Sequence, residues 1–224
     1  MPAEQPSARM QAWADWPVWL WSGVFLAVLV WSGINPKDTL TWGLEVAPAV
    51  LGAFMLAVTR QRFALTPLVY VLILIHCVVL MVGGHYTYAE VPLFDFIRDQ
   101  FELSRNHYDK LGHFLQGFVP ALVAREILLR RAVIPSSRWR VFFIVCFCLA
   151  LSAFYELIEW WVALMSDEAA ESFLGTQGYV WDTQSDMAFA LVGAILALLT
   201  LGRWHNRQLD RLGTCGRVPS TSDA

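Results

Sequence analysis

Six apolar runs, each close to the length of a bilayer crossing, leave this chain few folds to choose from. They lie near residues 16–34, 42–59, 65–82, 109–129, 139–165 and 182–201. A helix crossing the hydrocarbon core needs about 20 predominantly apolar residues. In that solvent each backbone amide must be satisfied inside the protein, and a helix does this within its own segment. The six runs nearly exhaust the 224 residues. The sequence therefore predicts an all-α, polytopic membrane helix bundle with six transmembrane helices, built as a single domain over 16–201. Charged residues make up 16% of the chain, against about 25% in soluble domains.

What lies outside the runs is short. Residues 1–15 read as a disordered polar tail and 202–224 as a basic tail. Between the third and fourth runs, Phe94, Ile97 and Phe101 recur at helical spacing among Asp95, Arg98, Asp99 and Glu102. Segment 91–105 is expected to be a short amphipathic helix, lying on the membrane surface or folded as a lid. The first run follows Glu4, Arg9 and Asp15, a poor basic leader for a signal peptide, and is expected to be retained.

Basic residues orient the bundle. Arg60 and Arg62, then Arg130, Arg131, Arg138 and Arg140, then Arg203, Arg207, Arg211 and Arg217 fill alternate connections. The opposite side holds only Lys37, Arg98 and Arg105, while the loop with Asp167, Glu168 and Glu171 has no base. The positive-inside rule places both termini in the cytoplasm. Trp16, Trp42, Trp139, Trp181 and Trp204 stand at run ends, where interfacial tryptophans belong.

That orientation brings costly residues to one side. Asp109, His113 and Gln116 share a helix face at the start of the fourth run. Glu156 and Glu159 lie in the outer part of the fifth, and Asp182 and Asp186 in the first turns of the sixth. Taken singly, Asp109 or Asp182 is explained as a helix cap, and His113 as an interhelical hydrogen bond. The glutamate pair is harder to explain. Two carboxylates ~5 Å apart repel by roughly 3 kcal/mol at an effective dielectric near 20, before any desolvation. Such a pair needs a cation, a shared proton or water. Ionisable residues within membrane helices are functional candidates by default. The candidate catalytic set is Asp109, His113, Glu156, Glu159, Asp182 and Asp186. Asp109, His113, Glu156, Glu159 and Asp186 are the candidate ligands of a divalent metal, the one cofactor such a set suits. No strong ligand motif such as His-Glu-x-x-His is present.

Other polar residues read as packing partners: Glu45 and His76 between helices, and Arg105 as a snorkelling surface arginine. Gln177-Gly178 either turns the chain or closes over the site. Cys77, Cys146, Cys148 and Cys215 are scattered, which argues against a disulfide framework or thiolate metal site.

Three stretches together resemble the YjdF family of bacterial inner-membrane proteins. They are His107-Tyr108-Asp109-Lys110-Leu111-Gly112-His113-Phe114, Tyr155-Glu156-Leu157-Ile158-Glu159-Trp160-Trp161, and Gln177-Gly178 with Trp181-Asp182-Thr183-Gln184-Ser185-Asp186-Met187. The resemblance covers nearly the whole chain and implies a multi-pass bacterial inner-membrane location rather than an activity. More distantly, Asp109-Lys110 with His113-Phe114 is similar to the VanZ-like proteins linked to glycopeptide resistance. Tyr155 stands where that family has Asp, Glu159 where it has Gln, and Asp186 where it has Asn. These departures add acid, so the resistance role is not carried over.

The leading expectation is an outward-facing acidic and histidine site acting on a lipid or lipid-linked envelope molecule. If the protein is an enzyme, it is a metal-assisted hydrolase or transferase. An ion- or proton-coupled transporter and a non-catalytic envelope scaffold are the alternatives. Membrane lipids are the expected partners, and nothing supports nucleic-acid binding.

Overall fold

The computed structural model describes residues 17–165 and 177–212. The expected tail over 1–15, Trp16, the acidic loop with Asp167, Glu168 and Glu171, and Cys215 and Arg217 lie outside the described residues. Within them the chain forms helices and no strands: α1 (Val18–Ser32), α2 (Thr39–Thr59), α3 (Pro67–Tyr86), α4 (Pro92–Gln100), α5 (Tyr108–Arg130), α6 (Ser137–Ala163) and α7 (Asp182–Arg211).

Four helices, α2, α3, α6 and α7, are long and apolar enough to cross a membrane. α1 is apolar but has 15 residues, about 22 Å at 1.5 Å per residue. α5 is long enough at 23 residues, but it carries Asp109, Lys110, His113, Arg125, Glu126 and Arg130. It can hold them because it lies in the middle of the bundle. α3, α6 and α7 all pack on it, and Ala121 and Leu122 are fully buried. α3 in turn carries α1 and α2. The outer helices present Leu51, Phe54, Phe142, Phe154 and Leu199 outward, the pattern of a surface facing hydrocarbon.

Local chemistry sets the helix ends. Asp38 caps α2 by accepting the Thr41 amide at 2.6 Å, and this bond holds its carboxyl below the usual carboxylate range. α3 begins with Pro67, which needs no donor partner, after the Gly-free turn Phe63–Thr66. Its first amides are capped by other helices. The Thr66 amide and hydroxyl donate to Glu126 of α5 at 3.0 and 2.8 Å, and the Leu68 amide donates to Gln208 Oε1 of α7 at 3.0 Å.

Glu126 is fully buried, and Arg130 Nη1 at 2.8 Å and His205 Nε2 at 3.0 Å complete its partners. A carboxylate at a helix N-terminus that accepts from an arginine and two donors of Thr66 is compensated for leaving water. This cluster ties α3, α5 and α7 together at the arginine-rich end. It also explains why α7 continues to Arg211, where a tail was expected from 202. His205, Gln208 and Leu209 are buried, while Arg203, Arg207 and Arg211 share the exposed face.

α5 and α7 make the most extensive helix contact. A Cβ on Gly117 would run into the Ala190 carbonyl, and one on Gly193 into the Phe114 carbonyl. The two backbones touch along a seam where Gly117 meets Ala190 and Gly193 meets Phe114, the small-residue contact that membrane helices use.

α4 is the amphipathic segment, shortened to Pro92–Gln100. Phe94 packs edge-on against Tyr108 at 5.1 Å between centroids, while Leu93, Phe96 and Phe101 are exposed. One side of the helix thus holds the bundle, and the other exposes Leu93 and Phe96 beside Asp99 and Gln100.

Candidate functional site

The α5–α7 seam fixes the height of the site. With the backbones in contact, the first turns of the two helices face each other. Lys110 Nζ then donates to Asp182 Oδ1 and Asp186 Oδ1, both at 2.6 Å. Arg105, just before α5, donates to the same Asp182 oxygen at 2.7 Å. Arg105 is 5% exposed, so it is a buried ion-pair partner and not a snorkelling surface residue. The Arg105 and Lys110 cations both lie against the Tyr179 ring, at 5.5 and 5.9 Å from its centroid.

Asn106 holds the segment that brings Arg105 there. Its side-chain amide donates to Val91 O and Asp95 Oδ1, and its Oδ1 accepts the Tyr108 amide. Gln177 clamps the Asn106 backbone, accepting from its N–H at 3.0 Å and donating to its carbonyl at 2.9 Å. Gln177 therefore fastens the loop before α7 to the start of α5. His107, at the mouth, is held below the usual imidazole range by partial burial and by the nearby Arg105 and Lys110 charges.

His113 sits one turn deeper, between the lysine-paired aspartates and the glutamates of α6. Its Nε2 lies 3.4 Å from Asp109 Oδ1, 3.7 Å from Glu156 Oε1 and 3.8 Å from Asp186 Oδ1. Its Nδ1 meets Gln116 Oε1 at 3.0 Å. An amide oxygen can only accept, so Nδ1 carries the proton of this contact and Nε2 faces the carboxylates. Glu156 and Glu159 are buried, and Glu156 Oε1 has no hydrogen-bond partner.

Two residues read as packing partners belong to this cluster. Glu45 of α2 is buried and accepts from the Tyr155 hydroxyl of α6 at 2.9 Å. His76 of α3, with its Nε2 sealed from solvent and unpartnered, lines the same cavity as Glu45, Asp109, His113, Tyr155 and Glu159. That cavity measures about 140 Å³, room for a few water molecules at ~30 Å³ each.

All six sequence-derived candidates, Asp109, His113, Glu156, Glu159, Asp182 and Asp186, thus lie at one end of the bundle, in two groups. Asp182 and Asp186 are neutralised by Lys110 and Arg105. Glu156 and Glu159 face His113, with Glu45 nearby. Among the described residues, six carboxylates, counting Glu45, meet two permanent cations, Arg105 and Lys110. Lys110 is not among the sequence-derived candidates, although it stands beside Asp109 in the stretch that carries the resemblance.

Below this site lies a larger cavity of about 910 Å³. Its walls are mostly apolar residues of α2, α3, α5 and α6, among them Met55, Leu56, Ile73, Val123, Ile144 and Phe147. Along α2 it runs from Pro48 to Thr59, about 16 Å at 1.5 Å per residue. α2 and α6 do not pack along each other there, and half-exposed Met55, Phe143 and Phe147 rim the opening. Pro48, His76, Leu80 and Pro120 line both cavities, so the polar site and the apolar chamber share a wall.

No solved structure matches this chain. "Inner membrane protein YjdF" of Escherichia coli (strain K12) is 52% identical over 186 residues, covering 83% of this chain and 89% of that protein. The family model described as "Predicted membrane protein (DUF2238)" matches residues 17–207, which span nearly every described helix and the whole site. The chain therefore belongs to the DUF2238 family of membrane proteins, the family of YjdF.

Proposed function

We propose that this inner-membrane protein acts on a lipid or lipid-linked envelope molecule, whose hydrocarbon chain lies in the apolar chamber while its polar group reaches the acidic site. One observation carries this reading: a buried set of ionisable residues shares its wall with a membrane-open chamber about 910 Å³ in volume. A water-soluble substrate would have no use for that chamber. A lipid would gain about 0.8 kcal/mol for each methylene that leaves water, but nothing for one that leaves bilayer. Selectivity therefore has to come from the polar end, where His76 Nε2 and Glu156 Oε1 have no hydrogen-bond partner. The transporter alternative needs polar groups along a path. The chamber is lined mostly by apolar residues, with His76, Thr59 and Arg131 the scattered exceptions, which does not support it.

Photo-crosslinking tests the reading. A benzophenone side chain at Phe147 should capture one lipid class far above its share of the membrane, while the same group at Leu199, on the outer face of α7, should capture bulk lipid. Identical products from both positions would count against a lipid site.

The orientation belongs to the same proposal. Six membrane crossings, with α1 and α5 among them, and cytoplasmic termini put the acidic site on the outer side. α5 crosses as a polar helix shielded by its neighbours, and α1 as a short one beside α3. Reporter fusions after residues 62, 134 and 205 should read cytoplasmic, and one near residue 95 external. An external reading after residue 205 would reverse the side assigned to the site.

A further inference from the structure

The geometry points to a divalent transition-metal site made by His113 of α5 with Glu156 and Glu159 of α6, within the site whose function is proposed above. One ligand atom from each residue lies within 4.8 Å of the other two, and all three residues are buried. Bound zinc or manganese holds such ligands at about 2.0–2.2 Å, so a small closure of rotamers completes the set.

Three features favour this trio over the other acids. First, Asp182 and Asp186 are already engaged by Lys110, whose ammonium would repel a cation placed between them. Second, Glu156 is 7% exposed and its Oε1 has no hydrogen-bond partner, so it faces the His113 ring with an unused lone pair. Third, Gln116 Oε1 holds the Nδ1 proton of His113, the outer-sphere contact that turns Nε2 into a metal ligand. Charge points the same way. With His113 as a neutral ligand, ionised Glu45, Asp109, Glu156, Glu159, Asp182 and Asp186 outnumber Arg105 and Lys110 by four. A divalent ion would neutralise half of that surplus. Imidazole with two carboxylates is a donor set for zinc, manganese or iron, whereas magnesium and calcium favour oxygen alone.

Elemental analysis of the full chain, purified in detergent without chelator after growth with zinc and manganese, tests the site. The expected result is close to one transition-metal ion per chain. Glu156→Gln, Glu159→Gln and His113→Gln should each lose at least nine-tenths of it, and Asp182→Asn should keep it. Should a variant misfold, the wild-type protein still decides. A chelator should lower its unfolding temperature, and re-addition of zinc or manganese should restore it. A wild-type chain without stoichiometric transition metal, or a Glu156→Gln/Glu159→Gln protein with an undiminished content, would overturn the inference. Loss of metal with no change in crosslinked lipid would leave the lipid reading standing, because the chamber is lined by other residues.

Discussion

Replacing Gly193 with leucine is expected to cost about 3–5 kcal/mol, enough to remove most folded protein from a domain of ordinary stability. Even a methyl group there would meet the backbone carbonyl of Phe114, which cannot swing aside as a side chain can. Leucine would have to separate α5 from α7 along their whole seam. Overpacking in a compliant core typically costs about 1–3 kcal/mol, and the excess here reflects a contact of backbone on backbone. It would also pull Lys110 away from Asp182 and Asp186. Gly117→Leu should behave alike, since Ala190 O stands in its way. Gly23 and Gly202 have nothing within 4 Å of an added Cβ, and leucine at either should change stability by no more than about 0.5 kcal/mol. Unfolding in a graded denaturing detergent measures all four. Equal stability of the Gly193 and Gly23 variants would mean that the α5–α7 contact is looser than described.

The second large effect is expected at Lys110. Lys110→Met keeps the length of the side chain and removes the charge that two buried aspartates share at 2.6 Å. Asp182 retains Arg105, but Asp186, 2% exposed, is left facing only His113 among cationic partners. Breaking a buried pair by removing one partner typically costs about 3–5 kcal/mol, because the remaining charge stays out of water. Adding Asp186→Asn should recover at least half of that loss. The same change in the wild-type background should destabilise the protein. Opposite signs in the two backgrounds are the signature of direct coupling. If Asp186→Asn has the same effect with and without Lys110, the pair contributes nothing of its own.

The apolar runs gave most helix positions because a span must be continuous to satisfy its backbone. The last helix shows where that reading stopped. Residues 203–211 carry three arginines and look like a soluble tail. Yet Arg203, Arg207 and Arg211 are four residues apart, while His205, Gln208 and Leu209 fill the opposite face. That pattern was readable as a helix with one wet side, but not its target. Glu126 lies 79 residues from His205 and 60 from Thr66, and nothing local joins them.

The candidate acids were legible because each breaks an apolar run at the same predicted depth. Their partners were not. Lys110 lies about 100° around the helix from Asp109, and only the close approach of α7, allowed by Gly117 and Gly193, brings aspartates within its reach. Arg105 read as a surface residue because it precedes the helix, but Asn106 and Gln177 fold that segment inward. Glu45 and His76 lacked any sequence sign of which helix they faced. The apolar chamber was invisible for a simpler reason. It is a gap between α2 and α6, and a missing contact leaves no pattern in either helix.

Native mass spectrometry tests most directly the proposal that the acidic site and the apolar chamber together hold one lipid. Gly52 lines the chamber with nothing within 4 Å of an added Cβ, so Gly52→Phe places a ring in the chamber without touching a polar residue. Gly23→Phe adds the same ring to α1, away from the chamber. Released gently from detergent, the wild-type chain and the Gly23 variant should carry one lipid of a single class. The Gly52 variant should carry at least tenfold less while remaining folded. The same mixed lipids on all three, in proportion to their abundance in the membrane, would contradict the account.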